Sequence, residues 1–202
     1  MLEIGCGAGA LSRRLIYSSY QGVDISPVAI EIARQKSERI QRPAGTIVPT
    51  YEAADFHDWP LPPHRFDLAV CVDAVASFRD QSFVLKKIAQ SLRSFGKLVL
   101  TTINPFVYRR IRPTRWTTLE NGPVSHWLSR RELHALITSA GLTIERSCTI
   151  MPRGNCGILR LVNARSVDQM LGPRRAALLR RLKEHIGLGQ YRLVIARKEE
   201  WA

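Results

Sequence analysis

A glycine-rich segment near the start of the chain constrains the fold more than any other feature. Residues 2–4 form a short apolar and acidic run, and Gly5, Gly7 and Gly9 follow at alternate positions. Glycine has no Cβ, so the backbone can turn sharply there and approach a ligand closely. We predict a strand, a glycine turn and then a helix whose first N–H groups are free to bind a ligand.

An acidic residue ends the second predicted strand. Asp24 closes the strand over 20–24, roughly 20 residues after the glycine turn. Ser26 and Pro27 then have the residue types of an N-cap and a first helical position. In a βαβ unit, a carboxylate at this place lies beside the ligand and can accept hydrogen bonds from both ribose hydroxyls. We therefore predict a ligand-binding role for Asp24 in preference to that of a plain turn residue.

Strands and helices alternate along the rest of the chain. Further strands are predicted over 46–51, 66–72, 97–102, 142–150 and 190–196, the first at a sheet edge because it contains Pro49. Further helices are predicted over 26–40, over 80–94 with Gly96 as its stop, and over 129–140 from the capping box of Ser129 and Glu132. This alternation predicts an α/β fold with a doubly wound, mostly parallel sheet, in one domain.

The connection over 151–189 is unusually long. Pro173 is a candidate helix start within it, and Leu179, Leu182 and Ile186 share one face of that helix. Arginines crowd the same segment, which makes it the most basic stretch of the predicted fold.

Positive charge is concentrated in the second half of the chain. The net charge is +13; residues 1–100 hold 12 Lys and Arg against 10 Asp and Glu, and residues 101–202 hold 18 against 7. A basic half can bind nucleic acid, anionic lipid or an acidic substrate, or it can be a face that only contacts solvent.

Several classes of protein are excluded by composition. No apolar run approaches the roughly 18 residues of a membrane span, and no metal-like cysteine spacing occurs. The four cysteines (Cys6, Cys71, Cys148 and Cys156) are typical of buried thiols in a reducing compartment. We therefore expect a cytoplasmic protein without a metal site.

These motifs, taken in order, resemble those of the class I S-adenosylmethionine-dependent methyltransferases of the small-molecule type. Residues 2–9 match the family's first motif, residues 22–26 its acidic strand end, and residues 54–56 the acid before its fourth strand. Residues 66–70, 96–100 and 127–142 are similar to its later elements. The looser dinucleotide pattern also fits the glycines, but Glu3 before them and the later order of elements favour the methyltransferases.

The resemblance implies a Rossmann-like, three-layer α/β/α fold with a seven-stranded sheet and an antiparallel last strand. It also implies that 1–202 is a single domain, with a cofactor-binding half over 1–102 and an acceptor-side half over 103–202. Members of this family usually carry a helix before the first strand, whereas Met1 already adjoins it here. We therefore expect one under-covered sheet face, with reduced stability and weak cofactor affinity unless a homodimer or a partner covers it.

The cofactor implied by the resemblance is S-adenosyl-L-methionine. The glycines would lie against its methionine part, Glu3 would hold its ammonium group and Asp24 its ribose. Asp55 would accept from the adenine amino group, and Cys71 would begin the floor under the reactive methyl. The full set of implied cofactor-binding residues is Glu3, Gly5, Cys6, Gly7, Gly9, Asp24, Ile25, Ala29, Asp55, Phe56 and Cys71.

Acceptor chemistry is less constrained. His126 and Asp73 are candidate general bases, with Tyr108 a weaker one, and a base is needed only for an acceptor protonated at neutral pH. Many small-molecule members carry a Glu-x-x-x-His pattern near the position of Asp73. The pattern is absent here, because residues 73–77 read Asp-Ala-Val-Ala-Ser. Three hypotheses stay open: methyl transfer to O or N of a small molecule, RNA methylation through the basic half, and a non-catalytic partner subunit.

Overall fold

The structure, a computed structural model, describes residues 1–40, 47–111, 127–151 and 165–200, with the backbone alone for 109–111 and 165–168. Seven strands form one sheet: β1 (Leu2–Ile4), β2 (Gln21–Asp24), β3 (Thr50–Ala53), β4 (Phe66–Val72), β5 (Leu92–Ile103), β6 (Leu142–Ile150) and β7 (Tyr191–Lys198). Their spatial order is β3-β2-β1-β4-β5-β7-β6, and β7 is antiparallel to both of its neighbours. The predicted fold class, including the antiparallel last strand, is confirmed.

Helices lie on both faces of the sheet. They are α1 (Pro27–Glu38), α2 (Gln81–Ser91), α3 (Pro105–Ile111), α4 (Arg130–Ser139) and α5 (Arg165–His185), with a short 3₁₀ turn at Val75–Ser77. The large core cluster joins Leu85 of α2 and Leu133 of α4 to one sheet face. Ile30 and Ala33 of α1 pack with Tyr51 in a second cluster on the other face. This arrangement is the predicted three-layer sandwich.

Local capping signals set the helix starts that the sequence predicts best. Ser26 is the N-cap of α1, where its Oγ accepts from the Ala29 N–H at 3.2 Å, and Pro27 follows it. Ser129 and Glu132 form both bonds of the predicted capping box at the start of α4. Each cap satisfies backbone N–H groups that the helix itself leaves unpaired.

The helix predicted directly after the glycine turn is not formed. Residues 7–14 make successive turns, with backbone bonds three residues apart such as Arg14 N to Leu11 O. The Ser12 hydroxyl donates to the Gly9 carbonyl at 2.9 Å, a local bond that competes with helix formation. Ile16 stays fully exposed, so no apolar helix face is buried here.

Two strand boundaries also differ from prediction. β3 lies at the sheet edge, as expected, but begins at Thr50 rather than at residue 46. The helix α2 ends at Ser91, and the predicted stop at Gly96 lies inside β5. The reason is pairing: Leu92 already pairs with Phe66 of β4, and an irregularity follows before the regular register resumes.

The long connection holds two helices joined by a kink, and the second begins at Pro173, the predicted helix start. α5 spans Arg165–His185 and is broken at Gly172, whose φ of 71° and ψ of 166° precede Pro173. Of the residues predicted to share one face, Leu182 and Ile186 are 55% and 60% exposed, whereas Leu179 is half-buried. Among the described side chains of α5, Ala176 and Lys183 are buried.

Candidate active site

A cleft opens where the strand order reverses, between the carboxyl ends of β1 and β4. Such a switch point is the usual ligand site of open α/β sheets. The cleft has a volume of about 500 Å³, within the range of small-molecule sites. Its lining residues come from the ends of four adjacent strands and from the 73–79 loop: Ile4, Gly5, Val23, Asp24, Ile25, Ala54, Asp55, Phe56, His57, Val72, Asp73, Ala74, Ser77, Phe78 and Arg79.

The glycine turn begins at this cleft, which Gly5 lines. Gly5, Gly7 and Gly9 all have left-handed φ angles, of 70°, 50° and 67°. A Cβ on Gly5 would lie 2.5 Å from the Ala74 Cβ, and one on Gly9 would lie 2.8 Å from the Tyr51 hydroxyl. A Cβ on Gly7 would meet no atom within 4 Å. Protein packing therefore requires Gly5 and Gly9, whereas the space beside Gly7 is open for a ligand.

The Asp24 carboxylate connects the glycine turn to α1. Its Oδ2 accepts from the Gly7 N–H at 2.8 Å, and its Oδ1 accepts from the Ser26 N–H at 2.9 Å. Each carboxylate oxygen has a second lone pair. Asp24 can therefore hold the backbone and still accept hydrogen bonds from two neighbouring hydroxyls of a ligand.

Asp55 lies at the end of β3 in a polar cluster that the sequence did not reveal. Its Oδ1 accepts from the His57 N–H at 2.9 Å and lies 3.1 Å from His57 Nδ1, and Arg79 Nη2 is 3.4 Å from Oδ2. The hydrogen bond from the His57 N–H is the main cause that lowers the pKa of Asp55. Asp80 N–H donates to His57 Nε2 at 3.3 Å, which fits a ring that carries its proton on Nδ1. The pattern Asp-x-His, with a carboxylate two residues before the ring, is the signal that could have identified His57.

The remaining residues implied for the adenine side differ in exposure. Ile25 is 71% exposed and forms part of the cleft wall. Ala29 is half-buried in the first turn of α1. Phe56 is buried and packs between Trp59 and Phe78. An apolar surface for a flat ring is thus available beside Asp55.

Glu3 lies beneath the glycine turn. It is 4% exposed and accepts a hydrogen bond from the Tyr20 hydroxyl. Burial raises the pKa of Glu3 to about 7. Cys6, beside it, is also buried, and removal from water raises the pKa of its thiol to about 12. Both side chains support the turn from inside the second core cluster.

The candidate bases and Cys71 lie in different surroundings: Asp73 at the cleft and Cys71 in the core. Asp73 lines the cleft with a φ of 55°, its N–H bonded to the Thr101 carbonyl at 3.0 Å, and partial desolvation raises the pKa of its carboxyl. Cys71 is fully buried in the large core cluster. His126 lies outside the described residues. The Tyr108 ring packs edge-on against Trp127 at 5.0 Å.

This geometry suits a nucleoside-like ligand. It combines open backbone beside Gly7, a carboxylate for vicinal hydroxyls and an apolar wall ending in a second carboxylate. Among the described residues, no group of His, Cys, Asp and Glu side chains is arranged to hold a metal ion. No helix in the described part of the chain is long and apolar enough to cross a membrane.

Comparison with known proteins identifies relatives of this chain. Residues 1–147 match the family model described as "Methyltransferase domain". The ubiquinone biosynthesis O-methyltransferase of Coxiella burnetii is 29% identical over 106 residues, which cover 52% of this chain and 43% of that protein. The O-methyltransferase cnsE of Penicillium expansum is 32% identical over 106 residues, 51% of this chain and 37% of that protein. The matches thus span less than half the length of these curated relatives.

The fold is also shared with solved structures. An S-adenosylmethionine dependent methyltransferase from Mesorhizobium loti superposes with a TM-score of 0.66 at 23% identity, covering 98% of this chain and 89% of that one. Since the superposition includes nearly the whole of both chains, the sheet order and the antiparallel β7 are shared features of the fold.

Proposed function

The chain belongs to the methyltransferase-domain family, and from that premise we propose that it moves a methyl group from S-adenosyl-L-methionine to an oxygen or nitrogen atom of a small-molecule acceptor. The observation that carries the proposal is the cleft at the switch point, which is lined by Gly5, Asp24 and Asp55. The relatives named above are O-methyltransferases, which favours oxygen as the methylated atom.

The residues present fit this cofactor. Gly7 leaves room for close approach to the backbone, Asp24 can accept from the two ribose hydroxyls, and Asp55 can accept from an exocyclic amino group. Ile25 and Phe56 offer apolar surface to the adenine ring. We propose that Glu3 acts from beneath the turn, through the backbone or through water, because it is buried and bonded to Tyr20.

The cofactor supplies the electrophile, a methyl group on a sulfonium, and the protein supplies alignment and a site shielded from water. Asp73 directly follows β4 and lines the cleft. Its raised pKa makes it a stronger proton acceptor than an ordinary aspartate. We propose that Asp73 receives the proton of an acceptor hydroxyl, with His126 as the alternative base.

An RNA acceptor is the second candidate, favoured by the basic second half of the chain. Trp127, one of the aromatic residues that suggested base stacking, packs against the Tyr108 ring.

We also propose a cytoplasmic setting, because the described cysteines, Cys6, Cys71 and Cys148, are free thiols.

A homodimer or a partner subunit is a further proposal. Leu68, Val99 and Ile195 are half-buried on the sheet face opposite the large core. A second subunit could cover them, and sedimentation at equilibrium tests this.

The proposed function is tested by titrating S-adenosyl-L-methionine by calorimetry and then measuring methyl incorporation into phenols, amines and mixed RNA. We expect saturable binding that Asp24→Asn weakens at least about tenfold, since a ribose hydrogen bond to a charged acceptor contributes on the order of 1.5–3 kcal/mol. Asp67→Asn is the matched control, because that carboxylate is exposed and outside the cleft. Transfer to RNA alone would favour the second candidate. Absence of binding heat would favour a non-catalytic subunit.

A further inference from the structure

The helix α5 presents its large apolar side chains to solvent. Leu178 and Leu182 are 70% and 55% exposed, and Ile186, directly after the last residue of the helix, is 60% exposed. The Ile186 N–H donates to the Leu182 carbonyl at 3.0 Å, so the four-residue spacing places the three side chains along one stripe. The face that packs against the protein buries Ala176 and Lys183 instead. A helix that hides a lysine and exposes leucines is inverted relative to the usual amphipathic pattern of a globular domain.

Basic side chains surround this stripe. Three arginines are exposed: Arg174, Arg175 and Arg181. Viewed down the axis of a helix with 3.6 residues per turn, each side chain projects within about 60° of the Leu178 side chain. Glu184, the one acidic residue between Pro173 and Ile186, is half-buried on the opposite side. The outward face is therefore apolar at its centre and positively charged at its margins.

We infer that this outward face of α5 binds the surface of a lipid bilayer that contains anionic headgroups. Aliphatic side chains flanked by arginines are the pattern of helices that lie in the interface plane, with the apolar stripe among the acyl chains and the charges at the headgroups. The charge complementarity selects anionic over neutral lipid. A nucleic acid would use the arginines but would gain nothing from three exposed aliphatic residues, and no Phe, Tyr or Trp lies between 173 and 186 to offer a base a large stacking surface.

The position of α5 relates this surface to the active site. Asn104, just after β5, donates from its side chain to the carbonyls of Gly187 and Gly189 at 3.0 and 2.8 Å. The Gln190 N–H donates to the Met151 carbonyl at 3.2 Å. The end of α5 is thus tied to the sheet edge that carries the cleft, where Phe106 and Met151 are also about half exposed. Docking through α5 places the edge with the cleft near the bilayer.

Co-sedimentation of the full chain with vesicles tests the inference without reference to catalysis. Vesicles of phosphatidylcholine alone are compared with vesicles that also contain phosphatidylglycerol, each at low and high salt. We expect strong partition to the anionic vesicles alone, weakened by salt because the charges are screened. Equal partition to both lipids, or none to either, would overturn the inference.

Paired variants locate the surface. Leu182→Glu should weaken partition about tenfold, as expected when one leucine no longer reaches the apolar layer, whereas Val48→Glu, a 67% exposed valine elsewhere, should leave it unchanged. Arg181→Glu should weaken partition by at least about tenfold, because it removes a positive charge and adds a negative one near an anionic surface, and Arg39→Glu is its exposed control. Urea unfolding of each variant checks that the fold is intact.

Two other results would also overturn the inference. In the first, the parent chain forms a dimer and does not bind vesicles, and Leu182→Glu abolishes the dimer. This result would assign the stripe to contact with a second copy of the chain. In the second, the parent chain binds mixed RNA in a salt-dependent way and does not bind vesicles, and Arg181→Glu weakens the RNA binding. This result would assign the basic side chains to nucleic-acid binding.

Discussion

Asp24 holds two backbone segments together as well as facing the cleft. Its oxygens accept from Gly7 in the glycine turn and from Ser26 at the start of α1. The turn geometry therefore depends on the same carboxylate that we propose for the ribose. Residues of this kind couple stability to ligand binding.

Asp24→Ala should lower the free energy of unfolding by about 1–3 kcal/mol, because two partly buried N–H groups lose their acceptor. Urea denaturation measures the change. Asp67→Ala is the control: its exposed ion pair with Arg93 should contribute less than about 1 kcal/mol. Equal losses in the two variants would contradict the structural role of Asp24.

The buried Glu3 predicts an unusual pH dependence of stability. Its pKa is raised to about 7 in the folded chain, from an ordinary value of 4.5, chiefly by burial. The folded state therefore binds more protons than the unfolded state between these values, so this contribution to stability is full below about pH 4.5 and is lost as the pH rises through 7.

Glu3→Gln removes the titrating group and tests this directly. Relative to the variant, the parent chain should lose on the order of 2 kcal/mol of unfolding free energy between pH 5 and pH 8. Urea unfolding at a series of pH values measures the difference. A constant gap between the two proteins would show that Glu3 does not titrate in this range.

The elements differ in what determines their ends. α1 and α4 begin at side-chain caps, whereas α2 ends where Leu92 turns to an extended conformation and pairs with β4. Phe95, with a φ of 61°, and Gly96 belong to the irregular stretch that follows. A Cβ on Gly96 would lie 2.8 Å from the Arg93 carbonyl oxygen and 3.1 Å from that of Phe66.

Gly96→Ala should therefore destabilise the fold by about 1–3 kcal/mol, because neither backbone carbonyl can move aside without disturbing the β4–β5 pairing. Urea denaturation again measures it. Ser94→Ala, at an exposed position of the same stretch, should change the unfolding free energy by less than about 0.5 kcal/mol. A Gly96→Ala variant as stable as this control would mean that β5 tolerates a Cβ there.

At the scale of the whole molecule, the cleft is assembled from distant parts of the chain. β1, β2, β3 and β4 each contribute one end, and the loop over 73–79 completes the wall. A ligand that joins these ends stabilises the folded state by mass action, whatever its chemistry.

S-adenosylhomocysteine, the product of the proposed reaction, should raise the melting temperature. At about 100 times its Kd the gain is about 2.7 kcal/mol, which corresponds to roughly 5–10 °C for a chain of this size. Differential scanning fluorimetry measures the shift. NAD is the control ligand, since the glycine pattern alone also fits a dinucleotide; a shift with NAD and none with S-adenosylhomocysteine would contradict the proposal.

Local signals predicted much of the fold. The apolar run of β4, the N-cap of α1 and the capping box of α4 are properties of neighbouring residues, and each was found where predicted. The missing helix after Gly9, the early start of β5 and the outward face of α5 were not predicted, because pairing partners and packing surfaces decide them. At the site, Asp24, Asp55 and Asp73 surround one cleft, while their roles toward the cofactor stay predictions.

The sequence by itself determined the order of the seven strands, the glycine turn and the acids at the strand ends, because short-range backbone preferences and hydrophobic periodicity specify them. The tertiary structure alone decided that Gly7, of the three glycines in the turn, faces open space, that Arg79 joins Asp55, and that α5 turns Leu178 and Leu182 to solvent. These features depend on atoms far apart in the chain that meet only when the sheet forms.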